Sequence, residues 1–175
     1  MEMLVLYFSV RGNNKLLAEH LARRLGADAE RVRDARWFPR LHMPRDLMKD
    51  DLPPIKPIAA DVSGYDSVLF VAPVFAGKIA MPMKSAIAAM APKLPSYSFV
   101  SLCGYDRPDQ RKELVAQLTD LTGKAPEHLG ALSIGDLVAE KDRKSVWVVS
   151  NFKVREAHLT QFSSQIDEIA SWNAT

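Results

Sequence analysis

Between Leu4 and Leu25 the hydrophobic period switches from that of a strand to that of a helix, and no other stretch limits the fold as strongly. Leu4, Val5, Leu6, Tyr7 and Phe8 form a short apolar run rich in β-formers, the pattern of a strand buried on both faces. Ser9 to Asn14 interrupts it with small and polar residues around Gly12. Leu16, Leu17, Leu21 and Leu25 then recur at helical spacing beside Ala18 and Ala22, with Lys15, Glu19, Arg23 and Arg24 on a polar face. A buried strand that turns through a tight loop into an amphipathic helix aims backbone N–H groups and the positive end of a helix dipole at one point. An anion, usually a phosphate, suits that point. An ordinary βα turn carries the same pattern, so this stretch alone leaves both readings open.

The helix is expected to stop at Leu25-Gly26, with Gly26 as its cap. Ala29 to Val32 reads as a weak strand suited to a sheet edge. From Asp34 to Ala60 the pattern dissolves: Arg36, Arg40 and Arg45 interleave with Trp37, Phe38 and Leu41, and prolines close the segment. Such a length is too great for a plain loop, so a short helix near Pro44 to Asp50, or a flap, is expected there. Interleaved arginines and aromatics can mark nucleic-acid or partner contact, but the favoured expectation is a solvated excursion whose Trp37 and Phe38 dock on the body of the protein.

Ser67 to Ala72 is a nearly continuous apolar strand that ends in the loop Pro73 to Lys78. Pro82 suits the first turn of a helix reaching Met90. Ser96 to Cys103 is the next strand, and Pro108 opens a helix ending at Gly123. Leu129 to Ile134 is a last core strand. Val146 to Val149 is strand-like, or packs under a C-terminal helix whose Leu159, Phe162, Ile166 and Ile169 share a face. Strands alternating with helices predict one α/β domain over residues 1–175, with an excursion at 34–60. The expected core is a five-stranded parallel sheet in the order 2-1-3-4-5 with helices on both faces, a three-layer sandwich. A ligand then lies outside the carboxyl ends of the first, third and fourth strands.

Composition excludes several classes. A net charge of +2 is too small a basic excess to argue for nucleic acid. One cysteine, Cys103, rules out an internal disulfide framework. Apolar runs are far short of a membrane span. Met1 followed by Glu2 and a strand gives no leader pattern, so a cytoplasmic protein is expected. Asn173-Ala174-Thr175 matches a glycosylation acceptor at the chain's end, without a secretory signal to give it meaning. His20, His42, His128 and His158 lack ligand spacing, so no metal site is expected. Gly77-Lys78 is no phosphate-binding P-loop, and no hydrolase elbow is present. Cys103 has no base to activate it and reads as a buried structural residue.

Three loops leave the relevant strand ends: Ser9 to Asn14, Pro73 to Lys78, and Cys103 to Arg107. The first offers glycine, hydroxyl and amides, the second Phe75 beside Gly77, the third Gly104 beside Tyr105. With Leu4 to Asn13 (LVLYFSVRGN), Tyr65-Asp66, Pro73-Val74-Phe75-Ala76-Gly77 and Cys103-Gly104, the chain resembles the flavodoxin-like family of FMN-binding proteins. The likeness is to its small flavodoxins and NAD(P)H-dependent FMN oxidoreductases, and it spreads over about Met3 to Ile134.

That resemblance implies FMN as cofactor. Ser9, Arg11, Gly12, Asn13 and Asn14 would bind its phosphate, and Phe75 and Tyr105 would flank its ring. The backbone around Ala76 and Gly77 would face the ring's N5, Gly104 would lie near N1 and O2, and Pro73, Val74 and Cys103 would complete the cofactor-binding set. No side chain is required as acid or base. The family's phosphate loop commonly reads Ser/Thr-x-Thr-Gly-Asn-Thr, whereas here Arg11 and Asn14 replace two hydroxyl residues. Arg11 is able to grip a phosphate in bidentate fashion, to swing out, or to fill the site itself, and Tyr105 is able to stack on the ring or to block the pocket. Carrier flavodoxins are usually strongly acidic, so a +2 chain favours a reductase passing electrons from NAD(P)H to a quinone-like or protein acceptor. The alternative is a flavodoxin-like domain that has lost FMN and serves as a binding or interaction module. The aromatic-rich excursion also suggests a homodimer contact.

Overall fold

A computed structural model describes residues 2–172, and the 173–175 glycosylation triplet lies outside them. The apolar run becomes strand β1 (Met3–Tyr7), and the helical repeat becomes α1 (Asn13–Leu25). Gly26 ends α1 in the left-handed region at φ 63°, as the sequence requires. Strand β2 (Asp28–Arg31) follows, then helix α2 (Pro39–Lys49) and strand β3 (Ser67–Val71). A hairpin of β4 (Val74–Phe75) and β5 (Lys78–Ile79) precedes helix α3 (Met81–Met90). Strand β6 (Ser96–Cys103), helix α4 (Pro108–Thr122) and strand β7 (Leu129–Ser133) complete the alternation. The C-terminal part is helical: α5 (Val146–Asn151), α6 (Glu156–Leu159) and α7 (Ser163–Ser171).

The five long strands form one parallel sheet in the order β2-β1-β3-β6-β7. This is the expected 2-1-3-4-5 winding, with weak β2 at an edge. Alternation within β1 shows why the central strands are apolar throughout. Met3, Val5 and Tyr7 face a core with Leu17 and Leu21 of α1 and Phe162, Ile166 and Ile169 of the C-terminal helices. Leu4 and Leu6 face a second core with Met83 and Ile87 of α3 and Leu114 and Leu118 of α4. Burial at roughly 25 cal/mol per Å² of apolar surface on both faces fixes the register, since a one-residue slip would exchange the two sets. Tyr7 pairs with Val71, but β6 runs on past that level, pairing Cys103 with Ser133. The residues after Cys103 therefore leave the sheet further along the strand direction than those after Tyr7.

Four local expectations need correction. The excursion's helix starts five residues earlier than expected and carries Pro44 inside it. Trp37 and Phe38 do not dock: they are 91% and 64% exposed. Their segment is fixed by charge instead, because Arg36 reaches both Asp34 and Asp46. The loop Pro73 to Lys78 folds into a hairpin around Ala76 and Gly77. Finally, of the two readings of Val146 to Val149 the strand fails: the segment is helical, with Ser145 accepting the Val148 N–H as its N-cap, and its Val149 joins the core of the C-terminal helices.

Candidate functional site

At the carboxyl ends of β1, β3 and β6 lies a cavity of about 640 Å³, within the range of small-molecule sites. It gathers twelve of the thirteen residues singled out in the sequence: Ser9, Arg11, Asn13 and Asn14 from the first loop; Pro73, Val74, Phe75, Ala76 and Gly77 from the hairpin; Cys103, Gly104 and Tyr105 from the third loop. The thirteenth, Gly12, is the N-cap of α1, with φ 96°. A side chain there would be strained by the backbone rather than by crowding, since nothing lies within 4 Å of an added Cβ.

The first loop is held open by its own atoms. Ser9 Oγ accepts the Gly12 N–H at 3.0 Å. No side chain caps α1, and its first turn carries no acid, so that helix start has amide donors and a positive dipole end without a built-in counter-charge. The two asparagine side chains are taken by the fold. Asn14 is buried; its Nδ2 donates to the Leu102 carbonyl at 3.0 Å and its Oδ1 accepts the Leu102 N–H at 2.9 Å. Asn13 Nδ2 donates to the Phe152 carbonyl at 2.9 Å and Oδ1 accepts the Val154 N–H at 3.0 Å. What these positions offer the cavity is therefore backbone. Arg11 is exposed and donates from Nη1 to Asn151 Oδ1, leaving the rest of its five-donor fork uncommitted.

In the second loop Ala76 and Gly77 have φ of 49° and 78°. Two successive positive φ values make the two-residue turn that matches strand twist. For Ala76 this conformation costs about 1–2 kcal/mol. At Gly77 an added Cβ would lie 2.8 Å from Glu113 Oε2. Gln117 of α4 fixes the turn by donating to the Gly77 carbonyl at 2.8 Å and accepting the Ile79 N–H at 3.2 Å. The peptide at Ala76–Gly77 is thus presented to the cavity in a set orientation, with half-buried Phe75 before it.

In the third loop Cys103 is 3% exposed. Burial, then the negative charge of Asp106, pushes its thiol up to about 11. No base is in contact with it, so it is no nucleophile at neutral pH. Tyr105 lines the cavity while its hydroxyl donates to the Arg143 carbonyl at 2.6 Å. Gly104 lets α5 come close: an added Cβ would meet Val149 Cγ1 at 3.3 Å.

Two walls rise above the loops. One is α2, contributing Arg40 and Met43; the other is α5, contributing Val146, Val149 and Ser150. The sequence reading missed both, although Ser145 before an apolar run was a usable N-cap signal. Among the described residues there is no cluster able to hold a metal ion, and no helix is long and apolar enough to cross a membrane.

The fold is that of several solved proteins. It is similar to a flavoprotein in complex with FMN from Lactobacillus acidophilus NCFM, at 21% identity and a TM-score of 0.62, covering 74% of this chain and 92% of that one. It is also similar to the apo-form of the flavoprotein from Lactobacillus acidophilus NCFM, at 19% identity and a TM-score of 0.60, covering 77% and 95%. Two-electron reduced Megasphaera elsdenii flavodoxin matches at 13% identity and a TM-score of 0.50, covering 74% and 84%. At such identities the likeness establishes a flavodoxin-like fold. No curated protein matches the chain. Residues 1–100 match the family described as NADPH-dependent FMN reductase. That span covers more than half of the sequence and includes the first loop and the whole hairpin, and the chain belongs to the NADPH-dependent FMN reductase family.

Proposed function

We propose that the strand-end cavity binds FMN and that the protein is an oxidoreductase taking electrons from NAD(P)H and delivering them to a quinone-like or protein acceptor. The observation that carries this reading is the coincidence of one apolar-walled cavity with an uncapped helix N-terminus and an arginine that spends only one of its donors, on Asn151. Bound there, FMN would supply the redox centre that the chain's own side chains lack. The first-turn amides of α1, Ser9 Oγ and Arg11 would hold the phosphate dianion. For that, Arg11 leaves Asn151. Phe75 and Tyr105 would cover the ring, and the Ala76–Gly77 peptide would offer backbone groups to its edge. Cys103, kept protonated by burial, stays out of the chemistry. The walls α2 and α5 would shield part of the ring from water. Family membership and net charge of +2 favour a reductase over an acidic carrier.

A titration of flavin fluorescence tests the assignment. Charge-assisted bonds of this kind contribute about 1.5–3 kcal/mol, so Arg11→Ala is expected to weaken FMN binding at least tenfold and to lessen its salt dependence. Phosphate binding by α1 and Ser9 alone would leave the affinity unchanged. The second reading, a domain without flavin, is favoured by one observation: Arg11 is held by Asn151 and both loop asparagines are used by the fold. A purified protein that shows no flavin absorption and takes up no added FMN, while Arg11→Thr does, would establish it.

A further inference from the structure

Beside the first cavity, beyond the carboxyl end of β2, lies a second of about 270 Å³. We propose that it binds the phosphate of a nucleotide whose other end reaches into the first cavity. The choice of a nucleotide rests on the flavin reading; the site itself rests on charge and placement.

Five cations line this cavity, Arg31, Arg33, Arg36, Arg40 and Lys56, against two carboxylates, Asp34 and Asp46. Both carboxylates are buried and both are engaged by Arg36, which donates to Asp34 at 2.6 Å and to Asp46 at 2.6 Å. Arg31, Arg33, Arg40 and Lys56 make no salt bridge among the described residues. Three separate elements bring them together. Arg31 ends β2 and Arg33 follows it; Arg40 comes from α2; Lys56 comes from the segment that returns after α2. The Lys56 N–H donates to the Arg33 carbonyl at 2.8 Å, and Asp34 and Ile55 form an antiparallel bridge, so two like charges sit on neighbouring backbones. Such an arrangement is unfavourable without an anion between them.

Size and continuity define what the anion is attached to. The volume is below that of a typical complete ligand site, which suits one group of a larger molecule. Ser9, Val10, Arg40, Met43 and Phe75 line both cavities. A ligand with its phosphate among Arg31, Arg33 and Lys56 therefore passes Arg40 and Phe75 to enter the first cavity. Nicotinamide dinucleotides have this form, a phosphorylated end joined to a planar ring.

Calorimetric titration of the FMN-free protein with 2′,5′-ADP at low salt is the test. The wild type is expected to bind it, and Arg33→Gln/Lys56→Gln to bind at least tenfold more weakly with unchanged far-ultraviolet dichroism. Neither residue lines the first cavity, so the variant's FMN titration is expected to match the wild type's. Tighter binding of 2′,5′-ADP than of 5′-ADP assigns the cavity to a 2′-phosphate; equal binding assigns it to the phosphates that all such dinucleotides share. No uptake of 2′,5′-ADP by the wild type, or equal uptake by the double variant, overturns the proposal. Uptake of 2′,5′-ADP by a wild type that takes no FMN would remove the flavin reading and leave the phosphate site standing.

Discussion

The two walls of the main cavity do the same job by opposite means. Each is a helical segment standing above the strand ends, and each shows large apolar side chains to solvent: Trp37, Phe38, Leu41 and Met48 on the α2 side, Val146 and Trp147 on α5. The α2 wall is held by charge. Arg36 bridges buried Asp34 and Asp46, and buried Lys84 of α3 donates to Asp50 at 2.8 Å. The α5 wall is held by neutral groups: the Asn13 amide pinning Phe152 and Val154, Ser145 capping the helix, and Val149 packed on the core. Neither helix would persist alone. Pro44 removes one hydrogen bond within α2, and α5 has only six residues. Each is a wall only while its tether holds, so conditions that release one tether need not release the other.

The largest expected separation comes from Arg36→Met. It leaves Asp34 and Asp46 buried without their cation, a loss of about 3 kcal/mol for a broken buried pair. Amide exchange should rise by roughly a hundredfold along α2 while α5 is unchanged. Equal acceleration in both walls would show that they open together and would end the comparison. Next in size is Asn13→Ala, which leaves the Phe152 carbonyl and the Val154 N–H without their partner. About 1–2 kcal/mol is expected, read as faster exchange from residue 146 to residue 154, with α2 unaffected and no dependence on salt. A salt-dependent loss would mean that the Arg11–Asn151 contact, not the amide clamp, holds this wall.

The smallest effect is acid sensitivity. Burial pushes the Asp34 carboxyl up, but hydrogen bonds from Arg36 and its charge outweigh burial and hold it below its ordinary 3.8. At Asp50 the hydrogen bond from Lys84 leads, and its carboxyl is also held below 3.8. Lowered pKa values mean stability that is fully present above about pH 4 and is lost as pH falls through the folded values. Pepsin below pH 4 should therefore cut within residues 37–50 before residues 146–154, because the Asn13 clamp contains no titrating group. Cleavage in the reverse order would place the weaker tether at α5.

The sheet was legible because its evidence is local and repeated. The apolar runs at Leu4, Ser67 and Ser96 and the caps at Gly26 and Gly123 needed no knowledge of partners. The three loops followed from the winding. What escaped depends on distant residues. Val146-Trp147-Val148-Val149 has strand-like composition, yet Ser145 and the chain around Asn13 set it as a helix. Asn13 and Asn14 looked like ligand groups because an amide's partner 88 or more residues away leaves no mark on the sequence. Trp37 and Phe38 were expected inside on hydrophobicity, but Arg36 anchors the segment at its polar groups.

Cys103 closes the floor of the cavity between those two walls, and it is the chain's single cysteine. With its thiol raised to about 11, only about one molecule in a thousand carries thiolate at pH 8, and that one is shielded. A maleimide or disulfide reagent can therefore label the native protein only at the rate at which the floor becomes exposed. The unmodified protein thus carries its own clock. Labelling at Cys103, followed by mass spectrometry, times the opening of the cavity itself, and a ligand that closes the site lowers the labelling rate in proportion to its occupancy.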